Sequence, residues 1–205
     1  MNRIVGCVIL SICIGCIATS CVTGRAMTKD EVFLIESATA ETPFRILSIL
    51  SPGDYKTLRT KCADIHPVKN NETLLLLIER MKATLAEADG VGLAAPQVGI
   101  AKNLFLFIRV DKPGMPVEVV INPRIVNHPD ETVCFERDGC LSIPDVVENS
   151  IRYPWIEVEY INEQGERIKE KLEGYSRESN FAAIIFQHEY DHLQGVLFTD
   201  KLCDE

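Results

Sequence analysis

The segment His188-Glu189-Tyr190-Asp191-His192 constrains the fold and chemistry of this chain more than any other. Residues four apart lie on the same face of an α-helix, so His188 and His192 can direct imidazole nitrogens at one metal ion. Glu189 would then lie beside that ion, where a carboxylate can take a proton from metal-bound water. The segment therefore predicts a metal-dependent hydrolase. The alternative is a core helix that carries two hydrogen-bonded histidines.

The residues before this segment favour a buried helix. Residues 181–186 (Phe-Ala-Ala-Ile-Ile-Phe) are strongly apolar, and Ser176 or Ser179 is a candidate N-cap. Gly195 is a natural C-terminal stop. We therefore predict that both histidines reach the site from a rigid element of the core.

A catalytic metal site needs a third protein ligand. The residues after His192 offer candidates at the very end of the chain: Asp200, Cys203, Asp204 and Glu205. Cys140 is the better candidate, because it follows Gly139 and lies between strand-like segments. A thiolate with two imidazoles leaves a position open for water. The alternative for Cys140 is a small buried apolar side chain.

A third segment, residues 90–99 (Gly-Val-Gly-Leu-Ala-Ala-Pro-Gln-Val-Gly), is rich in small residues that leave the backbone accessible. It lacks the Lys-Ser/Thr of a phosphate-binding P-loop and the glycine spacing of a dinucleotide site. We therefore predict a substrate-binding edge beside the metal. There Gln97 would supply an uncharged donor to a developing oxyanion.

Three segments, in this order, resemble peptide deformylase: residues 90–99, residues 138–144 (Asp-Gly-Cys-Leu-Ser-Ile-Pro) and residues 187–195 (Gln-His-Glu-Tyr-Asp-His-Leu-Gln-Gly). The resemblance covers residues 46–202, since residues 49–52 and 58–59 are also similar to the opening strand and turn of the family. It implies removal of the formyl group from the N-terminal formyl-methionine of peptides.

The resemblance implies a role for each residue of the metal site. Cys140, His188 and His192 would bind one divalent metal ion, and Glu189 would act as general base and then as proton donor to the leaving amine. Family members commonly use Fe²⁺ and accept nickel, cobalt or zinc. The ligand set does not choose among these metals.

The resemblance also implies how the substrate is held. Gln97 and the backbone N–H of Leu141 would stabilise the oxyanion, and Gly92 would hydrogen-bond the substrate backbone. The apolar pocket for methionine would be lined by Val91, Phe181 and Ile184. For the two helix residues, ordinary core packing is the alternative.

One position departs from the family pattern, because Asp138 stands where the family usually has glutamate. If that carboxylate pairs with an arginine across the pocket rim, Arg152 is the candidate partner and the shorter side chain would weaken the pair. We expect altered activity and not an inactive enzyme.

The first residues are typical of a bacterial export signal: a positive start, an apolar run over residues 4–18 and small residues before Cys21. We predict a lipoprotein-type signal at residues 1–20 with Cys21 as the lipidation site, a tether at 21–45 and a catalytic domain at 46–205. The protein would then be exported or membrane-anchored. Alternatives are a protein held at the membrane facing inward and a cytoplasmic enzyme translated from Met27.

Composition bounds the partners and the redox chemistry. A net charge of −9 without a basic patch argues against nucleic acid. If Cys140 binds metal, Cys62, Cys134 and Cys203 are too few and too scattered for a disulfide framework. Export into an oxidising compartment would threaten a thiolate on ferrous iron and would favour zinc.

The overall pattern predicts an α+β domain in which antiparallel strands wrap around one central helix that carries the metal ligands. A second helix is predicted at 72–88, capped by Asn70 or Asn71. Asn162-Glu163-Gln164-Gly165 is a hairpin signal. The predicted strands are 104–110, 117–126, 132–136, 151–161 and 166–172.

Formyl-methionyl peptides are therefore the predicted substrates. Two alternatives remain at this point: an exported amidase that removes another small acyl group, and a non-catalytic peptide-binding lipoprotein. The second is disfavoured because every residue that the chemistry requires is present in the sequence.

Overall fold

The computed structural model describes residues 26–203, so the predicted export signal and Cys21 lie outside the described residues. Within this range the chain forms four α-helices and seven β-strands. The helices are α1 (Lys29–Glu36), α2 (Pro52–Leu58), α3 (Glu72–Glu87) and α4 (Ala182–Leu193). None of them is long and apolar enough to cross a membrane.

The strands form two antiparallel sheets. They are β1 (Gly92–Ala94), β2 (Leu104–Ile108), β3 (Val117–Asn127), β4 (Val133–Cys140), β5 (Ile143–Arg152), β6 (Trp155–Ile161) and β7 (Arg167–Glu173). The larger sheet has the order β1-β2-β3-β6-β7, and β4 pairs with β5 in the smaller one. Along β6 the alternate residues Ile156, Val158 and Tyr160 are buried, as expected for a strand with one face on the core.

Helix α4 lies at the centre of the fold and packs against β1 and β2. Every residue of the helix except Tyr190 is buried. Phe186 contacts Phe105 and Phe107 of β2 edge to face, with ring centroids 4.9 and 5.7 Å apart. The α+β fold with a central ligand-bearing helix is therefore confirmed, and the packing gives the site a rigid support.

The predicted N-cap of this helix is wrong. Neither Ser176 nor Ser179 begins it, because residues 176 and 180 form an isolated β-bridge just before the helix. The backbone N–H of Ala182 instead donates to the side chain of Asn180 at 2.9 Å. At the other end Gly195 has a φ of 72°, and a Cβ there would lie 2.4 Å from the carbonyl oxygen of Arg59. Glycine is required at this position.

The predicted tether is also wrong for the part of it that the structure describes. Thr28 caps α1 with a reciprocal capping box, and Ile35 is completely buried. From α3, the guanidinium of Arg80 donates to the carbonyl oxygens of Leu34 and Ile35, both at 2.9 Å. A short helix like α1 is stabilised mainly by such tertiary contacts. Only one of its residues is buried, so its sequence shows no apolar periodicity that would predict a helix.

Helix α3 confirms the second predicted helix, and the side chain of Asn71 caps it by accepting from the backbone N–H of Leu74 at 3.0 Å. Residues 49–52, which resemble the opening strand of the family, form no strand here. Ser51 instead caps helix α2. The backbone of residues 47–49 still reaches the site. Leu47 N–H donates to the carbonyl of Gln97 at 2.8 Å, and Ile49 N–H donates to that of Ser142 at 3.0 Å.

Two predicted strand boundaries need correction around the smaller sheet. The strand expected at 132–136 continues to Cys140, and the strand expected at 151–161 is divided between β5 and β6. Pro154 lies at the division, where it cannot donate a ladder hydrogen bond. Bulges between β4 and β5 and a positive φ at Arg137 obscure the alternating pattern that would mark these strands.

A disulfide joins Cys134 of β4 to Cys203, with Cα atoms 6.0 Å apart. We expected Cys62, Cys134 and Cys203 to be too few and too scattered for a disulfide framework, and two of them nonetheless form this single bond. A separation of 69 residues in sequence does not determine the distance in the fold. The segment before Cys203 lies along β5. Ile151 N–H donates to the carbonyl of Lys201 at 2.7 Å, and Cys203 N–H donates to that of Asn149 at 3.0 Å.

Candidate metal centre

Cys140, His188 and His192 converge as predicted. Cys140 is the last residue of β4, and the two histidines lie one turn apart on α4. Their candidate ligand atoms all lie within 4.8 Å of one another, and Cys140 Sγ is 3.2 Å from Nε2 of His192. One sulfur and two ring nitrogens at this spacing can surround a single ion and leave a position open.

A carboxylate fixes the orientation of His188. Its Nδ1 donates to Oδ1 of Asp138 at 3.0 Å, so that Nε2 is the nitrogen left for a metal. Asp138 Oδ2 accepts from Ser150 Oγ at 2.6 Å and from Arg152 Nη2 at 2.8 Å. The other end of the Arg152 guanidinium binds Asp191 Oδ2 at 2.6 Å. These groups form a buried ionic network directly behind the ligands.

Arg152 is therefore the partner of Asp138, as the sequence suggested, but its predicted position at the pocket rim is wrong. Arg152 is 2% exposed and lies behind the histidines. Burial raises the pKa of Asp138, but the hydrogen bond and charge of His188 and the charge of Arg152 outweigh it and hold the pKa well below its usual range. The ionised form of Asp138 is therefore favoured, and it supports His188.

The pKa values of the two histidines shift in opposite directions. Burial lowers the pKa of His188, but the hydrogen bonds and charges of Asp138 and Cys140 outweigh burial and raise its pKa well above the usual value. Burial and the charge of His188 lower the pKa of His192 well below the usual value. A metal ligand must be a neutral imidazole, so metal binding at this site would compete with protonation of His188.

Glu189 lies beside the ligands and lines the same cavity. It is 4% exposed, and its Oε2 has no hydrogen-bond partner among the described residues. Burial raises the pKa of Glu189 to about 7, against the opposing charge of His188. A buried carboxylate oxygen without a partner is costly, and a metal-bound water would supply one. The residues present therefore fit a metal site.

Gly92 of β1 allows Glu189 to occupy this position. A Cβ at residue 92 would lie 2.3 Å from Oε1 of Glu189, closer than any real contact. Glycine here lets the strand backbone approach the carboxylate closely. Gly92 is predicted to contact the substrate, and it also lies against the candidate base.

Gln97 reaches the site from a short 3₁₀ turn at Ala95–Val98. Its Oε1 accepts from the backbone N–H of Ala94 at 2.8 Å, which fixes the orientation of the amide. Its Nε2 lies 3.2 Å from Ser142 Oγ and 3.6 Å from Cys140 Sγ. An uncharged donor therefore lies beside the thiol. Leu141, the second predicted oxyanion residue, follows Cys140 and also lines the cavity.

The cavity in front of these groups has a volume of about 480 Å³. All four predicted substrate-binding residues line it: Val91, Gly92, Phe181 and Ile184. Two further cavity residues were not predicted: Phe135, whose ring stacks on Phe181 with centroids 5.9 Å apart, and Ile185, which follows Ile184 on α4. Their apolar character and their closeness to the motifs were the available signals.

Residues 46–205 match the sequence model of a family described as polypeptide deformylase. The chain belongs to the polypeptide deformylase family. A peptide deformylase of Thermotoga maritima is 46% identical over 134 residues, which are 65% of this chain and 75% of that protein. Membership confirms the family, the fold class and the hydrolytic enzyme that the three motifs predicted.

Solved structures agree with this deformylase fold. The crystal structure of peptide deformylase from T. maritima superposes with a TM-score of 0.67 at 40% identity, covering 79% of this chain and 99% of that one. A Met-Ala-Ser-bound class I type b peptide deformylase of Acinetobacter baumannii gives a TM-score of 0.68 at 31% identity, over 79% of this chain and 99% of that one. The deformylase fold thus holds for most of the described chain.

Proposed function

We propose that this deformylase removes the formyl group from formyl-methionyl peptides with one divalent metal ion held by Cys140, His188 and His192. The observation that carries the proposal is the convergence of these three ligand groups with a buried, unpartnered carboxylate of Glu189. When bound, the ion supplies Lewis-acid chemistry and lowers the pKa of a bound water toward neutrality.

Glu189 is the general base in this proposal. Its raised pKa, about 7, matches a group that must accept a proton and return it near neutral pH. Glu189 would take the proton from the attacking water and deliver it to the amine that leaves. A positioned carboxylate contributes about 10²- to 10⁴-fold to such a reaction.

Gln97 and the backbone N–H of Leu141 would stabilise the negative charge that develops on the formyl oxygen. The fixed amide of Gln97 supports this role, because a donor that needs no reorganisation is the more effective one. Loss of one such donor typically costs about 3–4 kcal/mol in activation free energy.

The apolar wall of the cavity would hold the methionine side chain. Val91, Phe181 and Ile184 supply this wall together with Phe135, and Gly92 would hydrogen-bond the peptide backbone. The A. baumannii relative binds Met-Ala-Ser, a peptide that begins with methionine, and this supports a similar substrate here.

Turnover of formyl-Met-Ala-Ser by the full chain, loaded with Fe²⁺, Ni²⁺ or Zn²⁺, tests the proposal. We expect turnover that depends on the metal, together with at least tenfold slower release of acetate from acetyl-Met-Ala-Ser. Preferential deacetylation would instead support an amidase for another acyl group. Tight peptide binding without any turnover would support the peptide-binding lipoprotein.

For the location of the enzyme, we propose export with lipidation at Cys21. Two observations support this: the export-type sequence of residues 1–20 and the Cys134–Cys203 disulfide, a bond typical of oxidising compartments. In such a compartment Zn²⁺ is the metal that we propose. Cell fractionation with a Cys21→Ser variant tests this, since lipidated protein moves to the membrane fraction. Equal cytosolic recovery of both proteins would instead support translation from Met27.

A further inference from the structure

Arg177 forms part of one wall of the substrate cavity. Its guanidinium carbon lies 4.9 Å from the ring centroid of Phe135 and 5.2 Å from that of Phe181. The two rings are stacked on each other, so the three side chains form a single wall. A cation over aromatic faces at these distances is attracted by both rings.

The backbone also holds Arg177. Its Nη2 donates to the carbonyl oxygen of Arg137 at 2.7 Å, and its Nε donates to that of Glu136 at 3.5 Å. Both acceptors are neutral, and the described part of the chain contains no carboxylate that pairs with this guanidinium. A guanidinium has five N–H donors. Arg177 is therefore positioned and exposed while it retains donors for a ligand.

The charges around the cavity make Arg177 distinctive. Among the described residues that line it, Arg177 is the one lysine or arginine. Two of the acidic residues there, Asp138 and Glu189, are buried at the metal centre, whereas Asp89 and Asp145 lie in other segments of the wall. Away from the metal centre, a peptide in the cavity would therefore meet one fixed positive side chain, Arg177, near Phe181.

We infer that Arg177 is a specificity-determining residue that pairs with a carboxylate side chain of the peptide, just beyond the formyl-methionine. The inference rests on the proposed function and deepens it by naming a substrate class, peptides with aspartate or glutamate near the N-terminus. Phe181 would contact the methionine side chain, and Arg177, packed on the outer part of the same wall, would contact the residue that follows.

The expected effect is modest and lies in KM. Arg177 touches none of the groups assigned to the chemistry, so it would contribute binding and leave kcat unchanged. An ion pair at an exposed site contributes little, so we expect about a two- to fivefold preference for the acidic peptide. Because the pair is exposed to solvent, rising salt should reduce this preference.

The test uses the metal-loaded full chain and two pairs of peptides with amidated C-termini, so that the glutamate carries the sole carboxylate. The pairs are formyl-Met-Glu-Ala with formyl-Met-Gln-Ala, and formyl-Met-Ala-Glu with formyl-Met-Ala-Gln. Arg177→Gln removes the charge, and Arg167→Gln is the matched control on β7, outside the cavity. Arg177→Lys retains charge without the planar fork.

We expect the wild type and Arg167→Gln to prefer glutamate over glutamine in at least one pair, and Arg177→Gln to lose that preference through KM. Arg177→Lys should retain part of it. Equal kcat/KM for glutamate and glutamine peptides in the wild type, or an equal loss on both in Arg177→Gln, would overturn the inference alone. If the metal-loaded wild type deformylates none of the four peptides, the proposed function is overturned and this inference with it.

Discussion

His188 donates from Nδ1 to Oδ1 of Asp138 at 3.0 Å, and this bond determines which ring nitrogen is left for a metal ion. Asp138 is itself held by Ser150 and Arg152, so the orientation of the ring is fixed by groups that are all buried. The metal centre is therefore supported from behind by ionic contacts and from the sides by the apolar core.

Replacing Asp138 by asparagine should weaken metal binding. The amide cannot hold His188 Nδ1–H as strongly as a carboxylate, and such supporting contacts are typically worth about 10- to 100-fold in metal affinity. Competition with a chelating dye measures the change. Asp130→Asn, an exposed position outside the cavity, is the control, and Asp138→Glu, the residue usual in the family, should retain high affinity. Unchanged affinity in Asp138→Asn would contradict the role of this contact.

Arg152→Met should destabilise the fold strongly. The change removes the buried cation shared by Asp138 and Asp191 and leaves them only His188 and Lys201 as partners. Breaking a buried pair in this way costs about 3–5 kcal/mol. The free energy of unfolding in urea measures the effect. The matched control is Arg124→Met, which breaks a pair with Asp64 where the arginine side chain is 48% exposed and which should cost less than about 1 kcal/mol. Similar losses in both variants would refute the distinction.

Gly92→Ala should remove most activity while the protein remains folded. The new methyl group would meet Glu189 Oε1 and displace the carboxylate, and a misplacement of about 1 Å can cost about 10²-fold in rate. Steady-state turnover measures the loss, and circular dichroism checks the fold. Gly53→Ala is the control, because a Cβ at that position meets nothing within 4 Å. Full activity in Gly92→Ala would show that Glu189 does not need this position.

Reduction of the Cys134–Cys203 disulfide should lower stability. The bond closes a loop across 69 residues and ties the C-terminal segment to β4, the strand that carries Cys140. Loss of such a bond typically costs about 2–4 kcal/mol. Unfolding in urea with and without reductant measures this. A Cys134→Ser, Cys203→Ser double variant should be equally destabilised and insensitive to reductant. Sensitivity of that variant to reductant would point to another thiol.

The sequence predicted local features well and distant ones only where a motif marked them. The cap at Asn71 and the buried helix that carries His188 and His192 follow from patterns within a few residues. Cys140 joined the site through its motif, although 48 residues separate it from His188. By contrast, nothing local marks α1 as part of the domain, because its anchor is Arg80 in another helix.

The parts of the site that were not predicted also depend on contacts between segments that are distant in sequence. The wall formed by Phe135, Phe181 and Arg177 joins β4 to the turn before α4, and no pattern in either segment indicates the other. The disulfide likewise joins two cysteines with ordinary surroundings. Opposite charge alone indicates Arg152 as a partner for Asp138, but its depth behind the histidines depends on Asp191 of α4, a contact between distant segments.

Glu189→Gln tests the central claim most directly. Turnover of formyl-Met-Ala-Ser should fall by about 10²- to 10⁴-fold relative to the wild type at equal metal content, because the glutamine cannot accept the proton. Metal content is measured on the same samples, and Glu148→Gln, an exposed position on β5, should behave like the wild type. Undiminished turnover by Glu189→Gln, or an inactive wild type with a full complement of metal, would contradict the account.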